Sequence, residues 1–231
     1  MYHDLKILLE DQHVIVLHKP AGLAVQSARI SSMDLQSQVK NYLNQKTENY
    51  NGYLGIIHRL DQPVEGVVLF AKTAFAAKEL SAQITSGRMH KIYLAGVQAK
   101  PSVKSGRLEH YLLKKSKENC SMAVPPNTQG AKKALLEYTV LQSKENEALL
   151  RIELLTGRHH QIRVQLSQAG MPIVGDTKYS MDGSENPDAH LLALCASELR
   201  FAHPKTKQEL HISVRPQNPY FTKFDLSTEK N

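Results

Sequence analysis

The chain has 231 residues, of which 41% are hydrophobic and 22% are charged, a composition typical of a folded globular protein rather than a disordered chain. Lysine and arginine exceed aspartate and glutamate by 29 − 22 = 7, and this basic surplus favours an anionic partner such as RNA or DNA. The sequence lacks both the roughly 18 to 20 successive apolar residues of a membrane-spanning helix and the apolar core of a signal peptide. We therefore expect a cytoplasmic protein whose two distant cysteines stay unpaired.

The first half of the chain predicts strands and helices separated by a polar loop. Residues 13–17 are typical of a buried strand that ends at a Lys-Pro-Ala-Gly turn, and residues 67–71 of a central strand. Apolar residues four apart predict a helix over residues 35–43, and alanine and leucine predict another over residues 74–84. Residues 44–55 are polar and contain glycine, which predicts the loop.

The second half predicts more strand than helix. Residues 91–97 indicate a strand, and residues 135–142 pair with residues 148–155 as an antiparallel hairpin. A helix is expected over residues 160–169, closed by the glycine that follows. Residues 101–134 are rich in lysine and proline, and we expect them to hold short strands and a mobile basic loop.

The end of the chain completes the predicted architecture. The runs 191–196, 199–201 and 210–214 indicate strands or a helix-to-strand junction. Strands without a regular alternation with helices predict an α+β fold with a mixed, mostly antiparallel central sheet flanked by helices and loops. We expect one domain over residues 1–215 and a frayed polar tail over residues 216–231.

Two polar clusters, residues 58–66 and 156–163, combine arginine and histidine with hydrogen-bonding groups at the ends of predicted elements. Asp61 in the first cluster needs a cationic partner to stay ionised in a partly dry site, and an ionised carboxylate can act as a nucleophile or a base. The sequence does not choose among its candidate partners, which are Arg59, Arg158 and Arg163.

Simpler interpretations of the same residues are open. Asp61 precedes Gln-Pro and is also typical of a turn aspartate that binds local N–H groups. His58, His159 and His160 are typical of hydrogen-bonded surface or core histidines. A metal-dependent phosphoesterase that uses these histidines is a further hypothesis, but their spacing is not specific for a metal, and we expect no metal site.

Four separate segments carry a resemblance to a known family. The run HRLDQPVEGVVLFAKT spans 58–73, VIVLHKPAGLAV spans 14–25, and KIYLAGV spans 91–97. The run LLTGRHHQIRVQL (154–166) is followed by PIVGDTKY (172–179). In this order they resemble the RluA-type RNA pseudouridine synthases, over about residues 10 to 215.

The resemblance implies an isomerase that converts uridine in ribosomal or transfer RNA to pseudouridine without a cofactor. Asp61 is then the catalytic carboxylate, Tyr93 stacks on the target base, and Arg163 pairs with Asp61. The substrate-binding residues implied are His58, Arg59, Arg158, Ile173 and Val174. Such an enzyme extrudes the uridine from its RNA, and a monomer is the expected state.

The sequence departs from the family pattern at named positions. Gln62, Val64 and Glu65 replace the residues that usually follow the HRLD motif, and Gln165 replaces a histidine. We expect the small RNA-binding S4 domain at the start of many relatives to be absent, because the KPAG segment begins almost at once. These departures leave a second hypothesis open: a non-catalytic RNA-binding protein on the same fold.

Overall fold

The computed structural model describes residues 5–27, 33–46, 52–180 and 191–226. These residues form eleven strands, three α-helices and one 3₁₀ helix. The strands are β1 (Lys6–Glu10), β2 (Val14–Lys19), β3 (Gly55–Ile56), β4 (Glu65–Ala71), β5 (His90–Val97), β6 (Ser105–Lys115), β7 (Cys120–Val124), β8 (Lys132–Lys144), β9 (Glu147–Leu154), β10 (Leu194–Ala202) and β11 (Glu209–Ser213). The helices are α1 (Leu35–Lys46), α2 (Ala74–Thr85), α3 (Gln161–Gln168) and the 3₁₀ helix Pro219–Lys223. The fold class is α+β, as the sequence predicted.

The chain divides into two compact units, Met1–His90 with Ala196–Arg215, and Lys91–Cys195 with Pro216–Asn231. Each unit therefore consists of segments that are distant in sequence. The expectation of one domain over residues 1–215 stays a prediction, because a compact unit is not by itself an independently folding domain. No helix among the described residues is long and apolar enough to cross a membrane.

The first unit is centred on β2 and β4. Its strands follow the order β1-β2-β4-β10, with β3 paired to β4 and β11 paired to β10. The pairs β1–β2, β2–β4, β3–β4 and β10–β11 are antiparallel. Every residue of β2 and β4 is buried, which explains why both appear in the sequence as nearly continuous apolar runs.

Helix α2 covers one face of this unit. Thr73 caps its first turn by accepting a hydrogen bond from the Ala76 N–H group at 3.1 Å. Ala76 and Leu80 of the helix then pack against Val67 and Leu69 of β4 in one buried cluster. This packing fixes β4, and with it the chain segment that precedes β4.

The second unit has the strand order β5-β9-β8-β6-β7, and each of these pairs is antiparallel. Helix α3 places Val164 in a buried cluster with Leu112 of β6 and Ala134 of β8. The predicted hairpin of residues 135–142 and 148–155 is confirmed as part of β8 and β9.

The strands expected within residues 101–134 are confirmed as β6, β7 and the start of β8, although β6 is longer than expected, and the mobile basic loop stays a prediction. In β6, exposed residues, several of them charged, alternate with partly buried ones. The sequence therefore shows no continuous apolar run that would predict a strand there. The runs 191–196 and 199–201 contribute to a single strand, β10, whose polar Ser197 and Glu198 interrupted the pattern. The sequence also missed β1.

The frayed tail is wrong for residues 216–226. The 3₁₀ helix buries Phe221, which is 1% exposed, and the Tyr220 ring occupies the space beside Gly96, where a Cβ atom would lie 1.9 Å from it. The rest of the tail, and residues 47–51 of the predicted loop, lie outside the described residues.

Candidate active site

Asp61 lies in a turn that is held by the Lys-Pro-Ala-Gly turn after β2. The Val64 N–H group donates to the Asp61 carbonyl at 3.0 Å and closes the turn. Gly22 and Gln62 then join the two turns, since the Gly22 N–H donates to the Gln62 carbonyl at 2.9 Å and the Gln62 side-chain amide donates back to the Gly22 carbonyl at 3.0 Å. The half-buried Asp61 is therefore held by backbone geometry on both sides.

Lys19 is fully buried beside this turn, and its ammonium donates to the carbonyls of Pro20, Leu23 and Gln62 at 2.9, 2.7 and 3.1 Å. Burial lowers the pKa of Lys19 to about 8, while the negative charges of Asp61 and Glu65 act in the opposite direction. A lysine with this pKa is still mostly charged at neutral pH, so it supplies a positive field for the Asp61 carboxylate. Lys19 belongs to the KPAG motif, but no role was predicted for it from the sequence.

Glu65 is a second buried carboxylate near the same lysine. It is 2% exposed, and its Oε2 atom lies 3.7 Å from the Nε2 atom of the equally buried His18. Glu65 is one of the positions at which the sequence departs from the family pattern. The structure places its carboxylate in the interior, near His18 and the Lys19 ammonium.

Gly66 follows at the start of β4 and has φ of 129°. A Cβ atom at this position would lie 2.4 Å from the Ala196 carbonyl oxygen of β10. Both the backbone conformation and the close approach of β10 therefore require glycine. Glycine lets the chain turn from the Asp61 segment directly into the central strand.

The other predicted residues of this segment differ in exposure. The Leu69 N–H group donates to the Nε2 atom of half-buried His58 at 3.3 Å, so this histidine fastens the segment to β4. Arg59 is exposed. Their contacts with substrate stay predictions.

Tyr93 lies in the second unit, on β5, where it is 6% exposed and stands opposite Ile152 of β9. Ile173 is 2% exposed and forms a bridge with Val97 at the end of the same strand. The half-buried Val174 donates its N–H to the Gly96 carbonyl at 2.9 Å. The structure thus brings Tyr93, Ile173 and Val174 onto or beside one strand, and their contact with a base stays a prediction.

Arg163 is buried on α3 and forms a bidentate ion pair with buried Asp176. Its Nε atom donates to Oδ2 at 2.7 Å and its Nη2 atom to Oδ1 at 2.6 Å. The guanidinium carbon also lies 5.1 Å from the centre of the Tyr179 ring. Asp176 was missed as a site residue, although it belongs to the quoted PIVGD segment, and the predicted pairing of Arg163 with Asp61 stays a prediction.

A hydrogen-bonded cluster surrounds this ion pair. The Tyr179 hydroxyl accepts from the Ser121 N–H at 2.8 Å and contacts His160 Nδ1 at 2.7 Å. His160 stacks on His159 with ring centres 3.8 Å apart. Burial, followed by the charge of Arg163, lowers the pKa of His160 to about 3. The ring is therefore neutral at neutral pH and serves as a hydrogen-bonding group.

The turn before α3 presents Arg158 at the surface. The Arg158 N–H donates to the Gln161 side-chain carbonyl at 2.9 Å, and its Nε donates to the Lys133 carbonyl at 2.8 Å. Thr156 donates to the same Gln161 oxygen at 2.8 Å. The turn is thus fixed from inside, while Arg158 remains exposed.

The described residues contain no group of three or more histidine, cysteine, aspartate or glutamate side chains that could hold a metal ion. The metal-dependent phosphoesterase hypothesis therefore gains no support from this part of the chain. The first unit supplies the Asp61 carboxylate and the buried Lys19 ammonium, and the second supplies the Tyr93 ring and the buried Arg163 guanidinium.

Comparison with known proteins supports the family that the sequence motifs predicted. A family model described as RNA pseudouridylate synthase matches residues 13–168, from the start of β2 to the end of α3. The chain belongs to the RNA pseudouridylate synthase family. It is accordingly an isomerase, an RNA pseudouridine synthase, as the sequence motifs predicted.

Individual relatives support the same family. An uncharacterised RNA pseudouridine synthase of Synechocystis is 31% identical over 95% of this chain and 68% of its own length. The ribosomal large subunit pseudouridine synthase D of Zymomonas mobilis is 32% identical over 93% of this chain and 70% of its own. The tRNA pseudouridine synthase C of Vibrio parahaemolyticus is 28% identical over 98% and 97%.

A solved human structure, RNA pseudouridylate synthase domain containing 4, shares the fold. It superimposes with a TM-score of 0.77 at 24% identity, covering 94% of this chain and 90% of the human chain.

Proposed function

We propose that this protein converts specific uridines of ribosomal or transfer RNA to pseudouridine, with Asp61 as the catalytic carboxylate. The observation that carries the proposal is the position of Asp61 in a turn held by hydrogen bonds, near the buried Lys19 ammonium. A carboxylate in such a field stays ionised in a partly dry site.

The reaction rearranges the nucleoside without gain or loss of atoms. The N1–C1′ bond breaks, the uracil turns in the pocket, C5 bonds to C1′, the C5 proton leaves, and N1 gains a proton. Asp61 either attacks the ribose or removes a ribose proton, and both roles need its ionised form.

The remaining predicted residues are assigned as substrate contacts. Tyr93 stacks on the extruded base, an interaction worth about 1–3 kcal/mol. Ile173 and Val174 form the floor below the base, and Arg163 acts as the cationic partner of Asp61. His58, Arg59 and Arg158 contact the flipped nucleotide or its backbone. We further propose that the protein acts as a monomer in the cytoplasm and needs no cofactor.

The test is tritium release from RNA labelled at uridine C5, taken from a strain that lacks this protein. The wild type is compared with Asp61→Asn and with Asp225→Asn, which removes an exposed carboxylate near the C-terminus. We expect release by the wild type and Asp225→Asn and none by Asp61→Asn. Separating the labelled ribosomal and transfer RNA before the assay identifies the substrate class.

Two results contradict the proposal. Equal release by the wild type and Asp61→Asn would show that another group carries the reaction. Absence of release by the wild type, with RNA binding intact, would instead favour the non-catalytic RNA-binding protein.

A further inference from the structure

Lys91 and Arg158 bring two positive charges together beside the Gly157 turn. The Lys91 ammonium lies 3.5 Å from the position that a Cβ atom on Gly157 would occupy. Arg158 follows directly and is exposed, whereas Lys91 is partly buried at the start of β5. Both residues belong to the second unit, so their proximity is a property of that unit.

The Lys91 ammonium is destabilised by its surroundings. Burial lowers the pKa of the Lys91 ammonium, and the positive charge of Arg158 lowers it further. The charged neighbour that shifts the pKa of Lys91 is thus the cation Arg158 rather than a carboxylate. A bound anion would relieve both effects, because it would replace lost water and offset the repulsion between the two cations.

The turn is held in place before any ligand arrives. Gln161 accepts from Arg158 N–H and Thr156, and its amide donates to the Leu135 carbonyl at 3.1 Å. The Nε atom of Arg158 is bound to the Lys133 carbonyl, which limits where the guanidinium can point. A pre-positioned arginine loses little conformational freedom when it binds an anion.

The open side of the turn is the side of Gly157. This residue is exposed, and because it has no side chain, the position 3.5 Å from the Lys91 ammonium that a Cβ atom would fill is left open for an oxyanion. A fixed arginine, a lysine point charge and an accessible glycine backbone together fit the oxygens of a phosphate group.

We propose that Lys91 and Arg158 form a subsite that binds a single phosphodiester of the substrate RNA. The proposal rests on the proposed function for the identity of the ligand as RNA. The subsite fixes the position of the RNA backbone through charge and carries no base specificity.

The test compares Lys91→Met, Arg158→Met, the double variant and Lys205→Met, which removes an exposed lysine from the other unit. Every variant is made in the Asp61→Asn background, so that binding is measured without turnover. RNA affinity is measured by fluorescence anisotropy between 50 and 200 mM KCl, on a fluorescently labelled single-stranded oligouridine RNA.

We expect each single substitution to weaken binding about tenfold, the effect of one lost charge-assisted hydrogen bond, and to reduce the salt slope by about 0.7. Since both side chains share one phosphate, the double variant is expected to lose less affinity than the product of the two single effects. Lys205→Met is expected to bind like its parent, and Lys91→Arg is expected to restore most of the affinity.

Three outcomes would overturn the proposal. The first is an effect of Lys91→Met no larger than that of Lys205→Met, with unchanged melting temperature. The second is strict additivity with a salt slope reduced by about 1.4 in the double variant, which indicates two separate phosphates. The third is displacement of the RNA by millimolar inorganic phosphate equally in parent and double variant, which places the anion site elsewhere.

The proposed function is tested separately by tritium release. If the wild type releases no tritium while the variants still weaken RNA binding as expected, the proposed function fails and the subsite stands. If release is normal and the binding effects are absent, the subsite fails and the function stands.

Discussion

Lys19 shows how one side chain can hold two turns together. Its ammonium has three hydrogens, and it donates to three carbonyls of the Lys-Pro-Ala-Gly turn and the Asp61 turn. An apolar residue at this position would leave those part-buried carbonyls without that donor and would remove the cation near Asp61. The cost of burying a lysine is thus offset by local hydrogen bonds and by the nearby carboxylates.

Position 66 requires glycine for two reasons: its φ is positive, and the β10 backbone leaves no room for a Cβ atom. We expect Gly66→Ala to lower the free energy of unfolding by about 2–4 kcal/mol, because it adds positive-φ strain to a clash with the β10 backbone. The matched control is Gly87→Ala, which has φ of 72° but open space around a Cβ atom, and should cost only about 1–2 kcal/mol.

Urea unfolding of both glycine variants measures the difference. Equal losses in the two variants would contradict the role given to the close approach of β10. Tritium release by Gly66→Ala under conditions where it remains folded would report how far the Asp61 turn depends on this junction.

Helix α3 shows why an element can be placed correctly while its contacts are not foreseen. The apolar spacing and the closing glycine predicted its position within one residue at each end. Its buried face, however, also carries polar side chains that bind other elements. Gln165 is fully buried and its amide donates to the Leu108 carbonyl of β6 at 3.0 Å and to the Ala134 carbonyl of β8 at 3.3 Å.

We expect Gln165→Leu to destabilise the protein by about 2–3 kcal/mol, because it removes the donor for buried carbonyls on two strands. Gln165→His, which restores the family residue, keeps a ring N–H donor and should lose less. Gln168→Leu, on the exposed side of the same helix, is the control. Thermal unfolding of the three variants shows whether Gln165 stabilises the helix through its hydrogen bonds or only through packing. If only packing mattered, Gln165→Leu would leave the melting temperature unchanged.

At the scale of the whole molecule, stability in acid depends on ion pairs that join distant segments. Glu10 on β1 accepts hydrogen bonds from Tyr42 and Lys46 of α1 and from Lys72 after β4. Burial alone would raise the pKa of Glu10, but these three donors together lower it to about 2. Because this carboxyl binds its proton less strongly in the folded state, it contributes stability above its unfolded pKa of about 4.5.

That contribution is lost as the pH falls from about 4.5 to about 2. We expect Glu10→Gln to be less stable than the wild type by about 1–2 kcal/mol at pH 7, a value reduced from the full shift because Lys46 is exposed. The difference should shrink as the pH approaches 2. Denaturant unfolding at several pH values measures this difference in stability, with Glu118→Gln, at an exposed position, as the control. A stability difference that does not change with pH would contradict its assignment to the lowered pKa of Glu10.

Motifs and apolar runs in the sequence were sufficient to predict the family, the α+β class and the main buried strands. These features depend on residues that are close in the chain: β2 and β4 are continuous apolar segments, and the HRLD and KPAG motifs lie beside them. Local patterning failed where charged and apolar residues alternate, as in β6, because half of each such strand faces solvent.

Only the tertiary structure decided which distant residues meet. Arg163 pairs with Asp176, 13 residues away, Lys19 binds a carbonyl 43 residues away, and Lys91 approaches a turn more than 60 residues later. No short-range pattern contains these contacts, since they arise when strands pair, when two turns dock, or when a helix contacts the segment that follows it. The motifs contain the residues that we propose for the reaction. Strand pairing and burial determine which charged residues lie near them.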